Sequence, residues 1–264
     1  MATFVSTTTA VGATTGPVIP ALTDVVADDL LILTVTTANQ ALATPSGWTE
    51  LPNSPMGRGT AGSSGGLRLA VFYKIATGAD SALTLADAGS FTLGHKIAFR
   101  GVDTAAPIAA YASGDPAPAL VNTMYFADVT TTANNQTVVF IAAVDFDAAM
   151  SNIANVYTDS TGQLVDLTER VDTAVTSGAG GGITVATATQ PTIGTTDLFA
   201  SIVGGSSTYT LSISLVIKDA ASGGSSRLKH WTGSAWVAKP VKHWDGSAWV
   251  EKPLKYWSGS AWVA

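Results

Sequence analysis

The chain has 264 residues, of which 46% are hydrophobic and only 12% charged, with no cysteine and a formal net charge of −6. That apolar content excludes intrinsic disorder, and the missing thiols exclude a disulfide scaffold or Cys-ligated zinc. The longest apolar runs, Leu30–Val35 and Val138–Val144, fall far short of the roughly 20 residues that cross a bilayer. The Met1-Ala-Thr-Phe start also lacks the basic and apolar regions of a signal peptide. A soluble protein with no membrane insertion is expected.

Charge is unevenly distributed. Arg227, Lys229, Lys239, Lys242, Lys252 and Lys255 against Asp245 and Glu251 put residues 227–264 at +4, which leaves residues 1–226 at −10. An acidic body speaks against nucleic acid as a partner, because phosphate neutralisation needs clustered Lys and Arg. The basic end suits an acidic protein surface. Low charge with abundant Thr and Gly is the composition of an all-β extracellular or virion-like protein rather than of a housekeeping enzyme.

Along the first 220 residues the periodicity is that of strands. Thr3–Val11 and Leu30–Thr37 come first, followed by Leu67–Thr77, where Leu67, Leu69, Val71, Tyr73 and Ile75 share one face. The pattern recurs at Phe91–Arg100, and Asn122–Asp128, Val165–Val171 and Ile183–Gln190 are further candidates. Val138–Val144 is apolar at every position, as a strand covered on both faces would be. Near the end, Tyr209, Leu211, Ile213, Leu215 and Ile217 alternate with polar residues. Roughly ten short strands separated by turn-forming clusters fit one antiparallel β-sandwich, with a jelly-roll-like arrangement expected for residues 1–220.

Residues 221–227, including Ala221-Ser-Gly-Gly-Ser-Ser226, have the composition of a flexible linker. Residues 228–264 then repeat a thirteen-residue unit from Lys229, Lys242 and Lys255, with the pattern Trp-x-Gly-Ser-Ala-Trp-Val-x-Lys-Pro and a truncated third copy. In each copy two tryptophans flank a four-residue turn-forming segment, so the spacing predicts a β-hairpin with facing indoles and with Lys229 and Ala238 on the face of the first pair. A lysine over an indole is worth about 0.5–1 kcal/mol. One copy is too small to bury its own apolar surface, so stacking or docking is expected. Trp231, Trp236, Trp244, Trp249, Trp257 and Trp262, with Lys229, Lys242 and Lys255, are the candidate contacts to another protein, to a second copy or to a glycan.

Two sets of motifs carry a resemblance. Pro45-Ser-Gly-Trp-Thr-Glu-Leu51, Val71-Phe-Tyr-Lys-Ile-Ala-Thr77 and Ile97-Ala-Phe-Arg-Gly-Val-Asp103 with Pro107-Ile108 resemble a β-sandwich module of phage tail-fibre-type proteins and some bacterial surface proteins. The C-terminal unit is similar to repeats that close minor tail proteins of phages infecting actinobacteria. The resemblance implies a virion protein, made in the host cytoplasm, acting in tail assembly or host-surface attachment. Its implied partners are other virion proteins, further copies of itself as a homotrimer, and a host cell-surface glycan. A carbohydrate-binding module and a capsid decoration or head-fibre protein are the alternatives.

No catalytic constellation accompanies this. His95, the single histidine of the body, falls on the apolar face of its strand and reads as a core residue. The one Gly-x-Ser-x-Gly match, Gly62-Ser-Ser-Gly-Gly66, lies in a Gly- and Ser-rich stretch that no apolar strand precedes, so it is no nucleophile elbow, and nothing singles out Glu50 and Glu169, the only body glutamates. Asp145 and Asp147 are spaced to hold calcium only if further ligands join them. His230 and His243 read as repetition, since the third copy has Tyr256 there. No enzyme activity, cofactor or metal is therefore expected. Pro52–Gly66 reads as a long surface loop, with Met56 and Arg58 at its centre as candidate ligand contacts.

Overall fold

Val, Ile, Leu and Thr dominate the segments that pair, and in the computed structural model every regular element among the described residues is a β-strand. The described residues are 1–63, 65–115, 123–145, 154–160, 162–175, 181–202, 209–220, 228–233, 236–239, 241–252, 256–257 and 262–263. The chain forms two compact units, Met1–Asp219 and Ala220–Ala264. The expected linker at 221–227 lies outside the described residues.

The first part of the body contributes β1 (Thr3–Thr7), β2 (Val11–Ala13), β3 (Val18–Ile19), β4 (Leu30–Thr37), β5 (Thr49–Glu50), β6 (Met56–Arg58), β7 (Leu67–Ile75), β8 (Leu83–Thr84) and β9 (Thr92–Arg100). The second contributes β10 (Ile108–Gly114), β11 (Thr123–Tyr125), β12 (Gln136–Val144), β13 (Ala154–Asp159), β14 (Val165–Val175), β15 (Gly181–Gln190), β16 (Leu198–Ile202) and β17 (Thr210–Ile217). The Thr3–Val11 candidate is thus two strands, and the supposed loop at 52–66 contains the short strand β6, paired with β7.

One main sheet has the order β1-β9-β4-β7-β5 and the other β10-β17-β12-β15-β14, all antiparallel. The expectation of an all-β sandwich is met. Its jelly-roll-like detail is not, because the strands do not interleave: residues 3–100 build one sheet and residues 108–217 the other. Numbered by rank within its own half, each sheet reads 1-5-2-4-3. The accessory pairs correspond too, since β3 pairs β8 and β11 pairs β16 at equivalent places in the connections.

Fine details repeat as well. A bulge interrupts β1 after Phe4, opposite Phe99, and an equivalent one interrupts β10 after Ile108, opposite Ile217. Asp28 and Asn135 both enter the second-ranked strand with positive φ, 72° and 57°, a conformation that Asp and Asn tolerate better than other side chains. Asp28 N–H donates to Ala76 O and Asn135 N–H to Pro191 O, each at the far end of the fourth-ranked strand. The next residue caps the preceding turn in both halves: Asp29 accepts from Val26 N–H at 2.9 Å, and Gln136 from Ala133 N–H at 2.8 Å. The body is a structural duplication.

The two sheets meet through their inner faces, where Ile32, Val71, Phe91 and Ile97 pack with Val139, Ile141, Val185 and Ile213. Outside the first sheet a second core of Leu31, Leu33, Phe72 and Trp48 lies under β3 and β8 with Ile19 and Leu85. Outside the second, Val138, Phe140, Phe126 and Leu198 form a third, with the Phe126 and Phe140 rings edge to face at 5.7 Å. Central strands therefore carry apolar side chains on both faces, which is why β4 and β12 are buried at every position. At roughly 1.5–3 kcal/mol for each large apolar side chain, these layers are the main stabilising term.

Candidate functional site

The repeat unit folds as its periodicity predicts. β18 (Leu228–Trp231) pairs β19 (Trp236–Lys239), β20 (Lys242–Trp244) pairs β21 (Trp249–Glu251), and β22 (Tyr256–Trp257) pairs β23 (Trp262–Val263). The registers put Trp231 opposite Trp236, Trp244 opposite Trp249 and Trp257 opposite Trp262, with Lys229 opposite Ala238. Among the described residues no strand of one repeat pairs with a strand of another.

The second copy shows how the turn is made. The Asp245 carboxylate accepts from Ser247 N–H and Ala248 N–H, both at 2.8 Å, and from Ser247 Oγ at 2.9 Å. These bonds, the one from Ala248 N–H foremost, hold its pKa below the usual carboxylate range. Gly246 supplies the positive φ of 107° that the turn requires, and Gly233 repeats it in the first copy. Thr232 and Ser258 stand where Asp245 does, so each copy has an oxygen-bearing side chain at that position.

Across that turn the Trp244 and Trp249 rings meet edge to face, 5.8 Å apart. They remain 54% and 64% exposed, and Trp231 is 53% exposed. The predicted lysine does not join them in this copy: Lys242 sits opposite Glu251 and, among the described residues, stands over neither ring. Lys255 and the side chains of Lys229, Trp236, Trp257 and Trp262 lie outside the described residues.

The body holds the other candidates. Met56 packs against the inter-sheet core, and Arg58 forms an ion pair with Asp115 while its guanidinium lies 5.5 Å from the Tyr209 ring centre. Both side chains are engaged within the body. Asp145 accepts from Tyr209 N–H at 3.0 Å, and Asp147 lies outside the described residues. Among the described residues no three His, Asp or Glu side chains gather in a metal-binding group.

His95 is fully buried on the inner face of β9, opposite Thr34 of β4. Neither imidazole nitrogen has a partner, and the hydroxyls of Thr34 and Thr36 beside it are likewise unpaired. Burial pushes its pKa down to about 3, so at neutral pH it is an uncharged core residue out of reach of solvent. Lys96, its neighbour on the outer face, is also fully buried and forms an ion pair with Asp80, donating in addition to Ser81 O at 2.8 Å. Burial alone would raise the Asp80 pKa, but the Leu22 N–H and the Lys96 ammonium override it and hold the carboxylate low. Glu50 and Glu169 lie on β5 and β14, edge strands of different sheets, and Glu50 accepts from Ser54 Oγ at 3.0 Å.

Sequence reasoning missed one feature. A cleft of about 460 Å³ opens on the flank between β5, β7 and β10, lined by Tyr73, Ile75, Ile108, Tyr111, Thr49 and Thr104 among others. No local motif marks it, because the sheet packing assembles it from three separate segments. No protein-family model, curated protein or solved structure matches the chain, so the chemistry of these surfaces is what bears on function.

Proposed function

We propose that the protein is a non-enzymatic virion component of a bacteriophage, a minor tail or tail-fibre-type protein acting in tail assembly or host attachment. The observation that supports this reading most is the repeat unit. Its hairpins close on themselves through backbone pairing, yet they leave indole rings more than half exposed at Trp231, Trp244 and Trp249. A large aromatic surface in contact with water is the signature of a docking surface, because Trp burial contributes much of the energy at protein interfaces. The basic charge of this end adds attraction to acidic partners.

In this reading the repeats bury their rings against neighbouring copies, as a homotrimer, or against another virion protein. Native mass spectrometry of the full chain is expected to give a trimer. Replacing all six repeat tryptophans by serine is expected to give a monomer with an intact body. A monomer for the unaltered chain that also fails to enter particles overturns the assignment.

A further inference from the structure

The duplication brings the first-ranked edge of each half over the third-ranked edge of the other, and the two flanks so formed differ. On the flank of β1 and β14 the Arg170 guanidinium lies 3.9 Å from the Phe4 ring centre and donates to Thr187 Oγ1 at 2.9 Å. That side chain fills the space and leaves a cavity of only about 210 Å³. On the flank of β5 and β10 nothing plays that part. By register, Ile108 stands where Phe4 does and Tyr73 where Thr187 does, and the 460 Å³ cleft stays open. That volume suits a ligand of one or two sugar rings.

Its chemistry is specific. Ile75 and Ile108 give an apolar floor at the rim of the inter-sheet core. Tyr73, Tyr111, Thr49 and Thr104, each bearing a hydroxyl, also line it, and among the described residues none of the four hydroxyls has a protein partner. β5 stops at Thr49, opposite Tyr73, so the Ile75 backbone N–H and C=O on that edge meet no strand. The one cation in the lining, Lys74, is committed elsewhere: its ammonium lies over the Trp48 ring at 4.7 Å and 3.8 Å from Asp80. The cleft thus offers two phenol rings, unpaired hydroxyls and open backbone groups, with no free charge.

We propose that this cleft binds a neutral saccharide of one or two pyranose units. A pyranose has an apolar C–H face to lay against a tyrosine ring and a rim of hydroxyls that both donate and accept, matching aromatic faces flanked by hydrogen-bonding groups. An anionic ligand finds no cation here, and a purely apolar one leaves the hydroxyls desolvated and unpaired. The inference stands on the body alone and does not depend on the role of the repeats.

The test is saturation-transfer NMR on the full chain with glucose, galactose, mannose, N-acetylglucosamine, cellobiose, maltose and glucuronate as probes, each at about 10 mM, followed by titration of whichever transfers. At least one neutral sugar is expected to bind with a millimolar or tighter Kd. Tyr111→Ala, at a side chain already 39% exposed, is expected to weaken it at least tenfold, or about 1.4 kcal/mol. Thr104→Val, at a second lining residue, is expected to weaken it as well. Arg170→Ala on the opposite flank and the all-serine repeat variant are expected to leave it unchanged. Silence from every neutral sugar overturns the proposal. So does tighter binding of glucuronate than of glucose, or a bound sugar that neither cleft variant affects. Failure of the repeats to trimerise leaves this result untouched.

Discussion

The two halves of the body share strand order, a bulge and a turn, yet they furnish equivalent positions with opposite chemistry. On the inner face the second half places Ile141, Ala143 and Ile213 where the first places Thr34, Thr36 and His95. On the outer face the first half buries Lys96 against Asp80, where the second has Ser214 with an unpaired hydroxyl. Backbone hydrogen bonding and burial set the fold of each half, while the polar groups inside it vary. The first half carries the costlier interior.

Substitutions sharpen that contrast, beginning with the buried ion pair. Asp80→Ala leaves the Lys96 ammonium without its counter-charge and is expected to cost about 3–5 kcal/mol in urea unfolding. A loss below about 1 kcal/mol would mean that Lys96 escapes to solvent. Next comes acid sensitivity. Unfolded His95 takes up a proton near the ordinary histidine value of 6.5, whereas in the fold burial holds its pKa down at about 3. The unfolded state therefore holds more protons across that window, and stability falls as the pH drops through it. The His95 contribution amounts to about 3 kcal/mol between pH 7 and pH 4. His95→Ile, which copies the second half, is expected to flatten that part of the profile, measured as Tm against pH, and an unchanged slope would contradict it.

Smaller effects follow on the flanks and outer faces. Arg170→Ala removes a hydrogen bond and a ring contact and is expected to cost about 1–2 kcal/mol in the same unfolding assay, vacating a flank that has none of the tyrosines lining the open cleft. Ser214→Ala deletes a buried hydroxyl that has no partner, and a change within about 0.5 kcal/mol, of either sign, is expected. A large loss there would reveal a bond the hydroxyl makes in solution.

Much of this architecture was legible in the sequence at the level of single strands. The period of two at Leu67–Ile75 and the unbroken apolar run at Val138–Val144 each became a strand with the expected faces, whereas Thr210–Ile217, whose alternation with polar residues predicts a half-buried strand, is a strand buried at every position because a further layer covers its outer face. Repeat hairpins were legible down to register, since two tryptophans around a Gly-containing turn leave few ways to pair. The duplication was hidden, because what repeats is a hydrogen bond from Asp28 or Asn135 and a bulge after Phe4 or Ile108, not residue identity. The sheet to which a strand belongs is a long-range choice that periodicity does not record, so the jelly-roll detail failed. Met56 and Arg58 looked like loop residues because β6 is only three residues long and its partner β7 follows it across a Gly-rich stretch. The cleft was invisible for a related reason: Thr49, Tyr73 and the Thr104–Tyr111 segment are remote along the chain and belong together only once both sheets have folded.

The C-terminal hairpins carry a consequence for how such a chain changes over time. Each pairs its two strands within one thirteen-residue period, so in-frame slippage of the coding sequence adds or deletes a whole hairpin without disturbing the pairing of its neighbours. Avidity for whatever the indoles grip can then be adjusted by copy number alone, like beads threaded on or taken off a string, while the body keeps its fold.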